Sequence, residues 1–288
     1  VSAGPGPAAD ALKFLGASPS KKVLIVEGPS YRAVYGKWLK RLAAPGLYSA
    51  HVEVVDGRGK GAGGGKSAVL AALQWLRDHE GDPQRVFGLV DRDEWDDATI
   101  QRKLADLSQL RVNARRHSLE SYFCDPGELE PALLAINATW GSQTAALQEQ
   151  IEVQRADYVV HWALLTTTER IKIRMVEEGY PGHFVETVPV PSDGAIQEQF
   201  QRWAGVLNHE SVFQAFNSLR RTARAVPADQ AYRSHIWAKR FFRKVVYAAP
   251  HGLQAIHNKS PDDWMVDLAE WAPQVPLDLV SILEPLLV

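Results

Sequence analysis

The stretch KVLIVEG, Lys22–Gly28, decides the fold. Val23 to Val26 form an unbroken apolar run between Lys22 and the Glu27-Gly28 pair. A run this short, without alternation, fits a strand buried on both faces, as parallel sheets require. Outward from it, Ser30–Ala43 places Tyr31, Val34, Tyr35, Trp38, Leu39 and Leu42 at helical spacing, and Pro45-Gly46 ends the pattern. HVEVVD, His51–Asp56, reads as a second strand. A glycine-dense loop, 57–65, leads into a helix over Ser67–His79 with Val69, Leu70, Leu73 and Leu76 inward. VFGLVDRDEW supplies a third buried strand, Val86–Val90, ending at Asp91. Strand, helix, strand, helix, strand predicts an α/β fold: a parallel sheet with crossover helices on its faces.

After Gln109 the pattern changes. LRVNARRHSLESYF predicts a short strand, a turn and a helix start. From Pro126 onward the spacing is mostly helical: Gly127–Ala138, Gln143–Leu165, Thr168–Glu178, Ala195–Leu207, Ser211–Arg224, Tyr232–Ala248 and Pro261–Trp271. His183–Val190 reads as extended, and residues 1–20, rich in Gly, Ala, Pro and Ser, as a flexible leader. The expected organisation is leader 1–20, α/β core 21–126 and a mostly helical elaboration 127–288.

The 288 residues, 45% hydrophobic and 23% charged, exclude wholesale disorder. A single cysteine, Cys124, excludes an internal disulfide and a cysteine zinc cluster, and fits a reducing cytoplasm. No apolar run is long enough for a transmembrane helix, and the first residues lack the pattern of a secretory signal. The net charge of −2 hides an asymmetry. Between Ser218 and Val245 eight basic residues, among them Arg220, Arg221, Arg224, Lys239, Arg240 and Lys244, face one acid, Asp229. From Pro261 to the end there are six acids and no Lys or Arg. Such a basic block can neutralise nucleic-acid phosphates. It also fits a solvated helix face balanced by the acidic tail.

Glu27 ends the first strand, and Asp91 and Asp93 end the third. Ligands of open parallel sheets bind outside the carboxyl ends of the strands. Three acids brought to one edge repel one another unless a cation neutralises them, and oxygen-only ligands suit Mg²⁺ or Mn²⁺. If strand geometry persists through Asp91-Arg92-Asp93, both aspartates point to one side. A bare Asp-x-Asp more often caps a helix. A strand glutamate combined with a strand Asp-x-Asp two crossovers later is far more specific.

VLIVEG and LVDRDEW together resemble the two acidic motifs of toprim domains, the metal-binding fold of topoisomerases, bacterial primases and OLD nucleases. GGGKSAVLAAL, FGLVDRDEW and RRHSLESYF followed by DP further resemble the DUF4435 branch of toprim-like proteins. Leu119 and Ser121 depart from the isoleucine and asparagine usual in its Ser-Ile-Glu-Asn-Tyr box. HIWAKRFF carries Ala238 where the branch tends to have glycine before the lysine. The resemblance is strongest over residues 21–126. It implies a toprim-like sheet and an effector nuclease of two-gene anti-phage systems of the PARIS type, working beside an ABC-class ATPase.

Carried over by position, the resemblance makes Glu27 a metal ligand or general base and Asp91 and Asp93 the metal-ligating pair. Glu120 becomes a further carboxylate of the site, although it also fits an ordinary helix N-terminus. Lys66 opens a helix after a glycine-rich turn, where phosphate is favoured. Lys239 becomes a candidate for stabilising charge on the reacting phosphate, against the alternative of a surface lysine. GKGAGGGKS fails the nucleotide-binding pattern Gly-x-x-x-x-Gly-Lys-Ser, because position 60 is Lys60. His117, just before the Ser-Leu-Glu-Ser-Tyr box, is a candidate to sit near the metal, whereas His183, His209, His235, His251 and His257 show no metal-ligand spacing, and neither a serine elbow nor a partnered cysteine is present.

The combined expectation is Mg²⁺-dependent (or Mn²⁺-dependent) phosphodiester hydrolysis by Glu27, Asp91, Asp93, Glu120 and Lys239. Lys66, Arg220, Arg221, Arg224, Arg240 and Lys244 hold the nucleic-acid backbone. The PARIS resemblance favours RNA, tRNA in particular, and the OLD resemblance favours DNA. The alternative is a non-catalytic docking subunit of the ATPase. Trp264, Trp271 and Leu287 of the acidic tail are expected to pack into the chain's own core, the alternative being a docking or homodimer surface.

Overall fold

A computed structural model of the protein describes residues 6–43, 52–57, 65–80, 84–93, 95–113, 115–180 and 192–287. Most of the glycine-dense loop and the segment His183–Val190 lie outside these residues. The chain divides into two compact units. Val1–Val153 with Ala238–Val288 form the first, and Gln154–Trp237 the second.

The first unit is built on a four-stranded, all-parallel sheet: β1 Lys22–Val26, β2 Val52–Asp56, β3 Val86–Asp91 and β4 Leu110–Asn113, in the order β2-β1-β3-β4. Both neighbours of β1 are other parallel strands, which is why its apolar run is unbroken: Val23 through Val26 are each fully buried. Alternate residues point to opposite faces. Val23, Ile25, Val86 and Val90 join a core with Ala8, Ala11 and Leu15 of helix α1 (Gly6–Ala17) and Val69, Leu73 and Leu76 of α3 (Lys66–Glu80). Gly88 lets α3 come close, since a Cβ there would stand 2.8 Å from the Val69 side chain and 2.7 Å from that of Leu73. Ile100 of α4 (Asp97–Asp106) extends this core.

On the other face α2 (Pro29–Leu42) packs against β2, α12 (Pro261–Trp271) packs on α2, and α5 (Pro126–Ile136) packs on α12. Trp38 of α2 and Trp264 of α12 are fully buried. Lys37 Nζ meets Glu270 Oε2 at 2.8 Å, and Arg41 donates to the Ala269 carbonyl at 2.9 Å. Helix α13 (Leu277–Leu283) and a 3₁₀ turn at Glu284–Leu286 complete the unit.

Two boundaries differ from expectation. Residues 6–17 of the supposed leader are a helix, because Ala8, Ala11 and Leu15 make one buried stripe. The carboxyl-terminal segment from Ala238 belongs with the sheet, not with the helical elaboration. Trp264 is accordingly core, whereas Trp271 is half exposed.

The second unit is helical: the distal part of α6 (Gly141–Glu177), then α7 (Asp193–Val206), α8 (His209–Ala225) and α9 (Ala228–Ser234). The break expected within α6 near Thr166–Thr168 does not occur. Thr167 and Thr168 donate their hydroxyls to the carbonyls of Ala163 and Leu164 at 2.8 and 2.9 Å, so neither competes for its own backbone. The single helix expected over Tyr232–Ala248 is instead interrupted at 235–237, where the second unit ends. It resumes as α10 (Ala238–Phe241) and a π-helical turn, Phe242–Tyr247, followed by the short α11 (Leu253–Ile256).

Candidate functional site

The sheet order reverses direction between β1 and β3: β2 lies on one side of β1, and β3 and β4 on the other. In open parallel sheets that reversal leaves a crevice beyond the strands' carboxyl ends. Glu27 follows β1 there, and Asp91 ends β3. They meet directly, for the Asp91 N–H donates to Glu27 Oε1 at 2.8 Å.

Asp91 is fully buried. Its Oδ2 accepts from the Tyr31 hydroxyl at 2.6 Å and from the Leu119 N–H at 3.0 Å, while its buried Oδ1 has no hydrogen-bond partner. Burial, then the charges of Glu27 and Asp93, hold the Asp91 carboxyl well above the usual carboxylate range. Burial likewise pushes Glu27 up, aided by Asp93. Burial raises Glu120 too, and its Oε2 is buried without a partner. Four acids therefore share one crevice and resist simultaneous ionisation.

Asp93 behaves differently. The strand ends at Asp91, so strand alternation does not place Asp93. It sits in the left-handed region at φ 46°, its N–H donating to the His117 carbonyl at 2.7 Å. There its Oδ2 meets Lys66 Nζ at 3.0 Å and its Oδ1 meets Lys239 Nζ at 3.2 Å. Although burial opposes ionisation of Asp93, the charges of Lys239 and Lys66 prevail and hold its carboxyl below the ordinary value. Lys239 is raised in turn by Asp93 and Asp91 against its own burial. Lys66 also donates to the Arg92 carbonyl at 3.1 Å and lies over the Trp95 ring, 4.3 Å from its centre. Gly65, at φ 84°, makes the turn that starts α3 at Lys66.

The segment after β4 crosses the crevice. Leu119–Phe123 form a 3₁₀ turn whose first N–H holds Asp91 and whose Glu120 side chain is buried. Arg116 anchors this segment: only 2% of its side chain is exposed, yet it pairs with Glu128 at 2.9 Å and Asp278 at 3.0 Å and lies over the Tyr122 ring. His117 is buried with both ring nitrogens unpartnered, and burial brings its pKa down to about 4.

The structure thus gathers Glu27, Asp91, Asp93, Glu120, Lys66 and Lys239 into one crevice. Tyr31 joins them unforeseen, and His117, which the sequence places near the metal, lies beside Asp93, whose N–H its carbonyl accepts. Tyr31 was legible only as an apolar position of a helix stripe, and Arg116, which anchors the crossing segment, only as a neighbour of the Ser-Leu-Glu-Ser-Tyr box. Arg220, Arg221 and Arg224 lie on α8 of the second unit, while Arg240 and Lys244 lie in the first. Arg221, Arg224, Arg240 and Lys244 are exposed. Arg220 is half-buried, donates to Asn217 at 2.9 Å and lies over the Phe216 ring. The acidic tail does not simply balance that block: Asp278 pairs with Arg116, Glu270 with Lys37 and Asp267 with Lys259.

Among the described residues, no three His, Cys, Asp or Glu side chains are grouped as a cage for a metal ion. Asp93, expected to complete one with Glu27 and Asp91, is taken by the lysines. The donor chemistry nevertheless fits a hard divalent cation. Among the described residues, Asp91 Oδ1 and Glu120 Oε2 are buried without partners, and four carboxylates outnumber the two lysines. No helix among the described residues is long and apolar enough to cross a membrane. No family model matches the chain, and no curated protein is significantly similar to it.

Proposed function

We propose that the protein is a divalent-metal-dependent nuclease of toprim-like design, hydrolysing phosphodiester bonds of RNA in preference to DNA. The observation that carries this reading is the unpartnered, buried Oδ1 of Asp91 at the switch point, beside Glu27 and Glu120. A fully buried carboxylate oxygen without a partner is costly, and one role that repays the cost is cation ligation. Asp91 and Glu120 would offer these unpartnered oxygens to the ion, with Glu27 beside them and Asp93 in reserve. A bound Mg²⁺ or Mn²⁺ supplies Lewis-acid polarisation of the phosphate and a more acidic water.

The chain's own residues do the rest. Tyr31 and the Leu119 N–H fix Asp91 so that Oδ1 is the oxygen presented. Lys239, with 39% of its side chain exposed, offers its ammonium to a phosphate oxygen. The exposed Arg240 and Lys244 contact the backbone without reading sequence. The resemblance to DUF4435 supports a cytoplasmic anti-phage effector restrained by an ABC-class ATPase, so the isolated chain should cut slowly.

The test is prolonged incubation with labelled tRNA, plasmid and single-stranded DNA in Mg²⁺, Mn²⁺ or EDTA, beside calorimetric titration with Mn²⁺. Slow RNA cleavage that EDTA and Glu27→Gln both abolish is expected. Absence of Mn²⁺ uptake, or cleavage indifferent to EDTA, would sink the proposal. One observation favours a second reading, a non-catalytic docking subunit: both oxygens of Asp93 are closed by lysines. Under it, Glu27→Gln leaves function with the ATPase intact.

A further inference from the structure

Among the described residues, Asp93 is the one carboxylate of the crevice with a cation on each oxygen: Lys66 at 3.0 Å and Lys239 at 3.2 Å. A carboxylate so engaged has its charge already satisfied and offers a divalent ion little. The acids left over, Glu27, Asp91 and Glu120, include the two buried unpartnered oxygens of the site. The crevice therefore holds an unfinished cation site beside a finished ion pair. The two lysines are not held alike. Lys66 is 16% exposed, and the Arg92 carbonyl and the Trp95 ring also grip it. Lys239 is 39% exposed and reaches Asp93 from the start of α10. An incoming anion meets Lys239 first.

We propose that Lys66 and Lys239 form a clamp that keeps Asp93 from the cation until a phosphodiester draws Lys239 away, so that substrate and metal bind cooperatively. This inference rests on the metal-dependent reading above. Its physics is competition. A phosphate oxygen beside Lys239 takes over that ammonium and leaves Asp93 Oδ1 with an uncompensated charge. Asp93 would then be able to join Asp91 and Glu120 in holding a divalent ion, whose double charge exceeds that of the remaining lysine. By linkage, the phosphodiester must tighten cation binding by the same factor as the cation tightens phosphodiester binding. Asp93 can turn about its side-chain torsions alone, which leaves its backbone φ of 46° unchanged.

The experiment reads free Mn²⁺ by its paramagnetic resonance signal, with the dinucleotide TpT as the phosphodiester and its uncharged methylphosphonate analogue as control. The proteins are wild type, Asp93→Asn, Lys66→Met, Lys239→Met and each lysine variant combined with Asp93→Asn, all checked for folding by thermal melting. For wild type, TpT should tighten Mn²⁺ binding by about five- to a hundred-fold, the usual span of site-to-site coupling, and the methylphosphonate should not. Without TpT, Asp93→Asn should change Mn²⁺ affinity little. Lys239→Met should tighten Mn²⁺ binding without TpT, and adding Asp93→Asn should abolish that gain. The clamp is overturned if neither lysine variant tightens binding. It is equally overturned if the gain survives Asp93→Asn, which would make the lysine a through-space charge only. Mn²⁺ uptake by wild type that needs Asp93 without TpT overturns the clamp and leaves the metal reading standing. Failure of every protein to take up Mn²⁺, with or without TpT, overturns both.

Discussion

The Tyr31 hydroxyl donates to Asp91 Oδ2 at 2.6 Å, and this bond decides which oxygen of the aspartate is left over. With the Leu119 N–H on the same oxygen, Oδ1 is the one without a partner. Burial and the Asp91 charge hold the Tyr31 hydroxyl well above its ordinary pKa, so it remains a donor at every working pH. Removing the hydroxyl frees Asp91 to rotate. Tyr31→Phe should leave the fold intact and weaken Mn²⁺ binding by about ten-fold, the worth of one hydrogen bond to a charged group. Calorimetric titration beside a melting curve checks it, and an unchanged affinity would remove Tyr31 from the site.

Glu27 tests the shared repulsion. Its folded pKa is raised by burial and by Asp93, so its charged form is penalised above that raised value, and the penalty fades as pH falls through it. Glu27→Gln keeps an acceptor for the Asp91 N–H and removes the charge. It should melt higher than wild type at neutral pH, with the gap closing toward the ordinary carboxylate range. Cleavage should fall by about a hundred-fold or more if Glu27 acts as general base. Melting curves from pH 4 to 8 and single-turnover cleavage decide both.

His117 gives the opposite sign. Burial depresses its folded pKa to about 4, against Asp93, which raises it, and together with Lys239, Lys66 and Arg92, which lower it further. As pH falls below about 6.5, the unfolded chain takes up this proton first, so stability is lost down to about 4 and then levels. In EDTA the loss due to His117 should be on the order of 3 kcal/mol. Glu27, Asp91 and Glu120 act in the other direction, so the readout is the difference between wild type and His117→Leu. Urea unfolding at several pH values should show the variant losing less stability over that range. Parallel losses would mean that His117 is not buried in its neutral form.

Arg116 ties the crevice-crossing segment to α5 and α13 through Glu128 and Asp278. Arg116→Met leaves Asp278, of which only 12% of the side chain is exposed, without its cationic partner and with only the Tyr122 hydroxyl at 3.4 Å. Breaking such a pair costs about 3–5 kcal/mol, read by urea unfolding. A cost under about 1 kcal/mol, the level of a surface pair, would contradict the burial.

The basic residues divide between the two units, so they are tested as separate pairs. Arg220→Ala with Arg224→Ala probes the second unit, and Arg240→Ala with Lys244→Ala the first. Every side chain that neutralises a phosphate should, once removed, lower the salt-dependence slope of RNA binding by about 0.7–0.9 in magnitude. The Arg240 and Lys244 pair should show it. No change for a pair assigns that pair to solvent or to a protein partner.

The sheet was legible because local rules decide it. Val23–Val26 is apolar throughout since a central parallel strand is buried on both faces, and the alternation of strands and helices leaves few topologies. Glu27 and Asp91 were legible for the same reason: each ends such a strand, and the carboxyl edge is where ligands bind. Other features depended on residues far apart in the chain meeting in space. The helix at Gly6–Ala17 looks like a loose leader until α3 and β1 cover its small apolar stripe. Tyr31 looks like core until its hydroxyl meets Asp91. Arg116 and Asp278, 162 residues apart, carry no local signal of their pairing. The placement of Asp93 also escaped the alternation rule, because the strand stops two residues earlier and the chain turns through a left-handed residue. Periodicity identifies which face is apolar and which strand end carries an acid. Whether that acid faces a cation site or a lysine depends on side chains brought in by other elements, and only tertiary packing decides it.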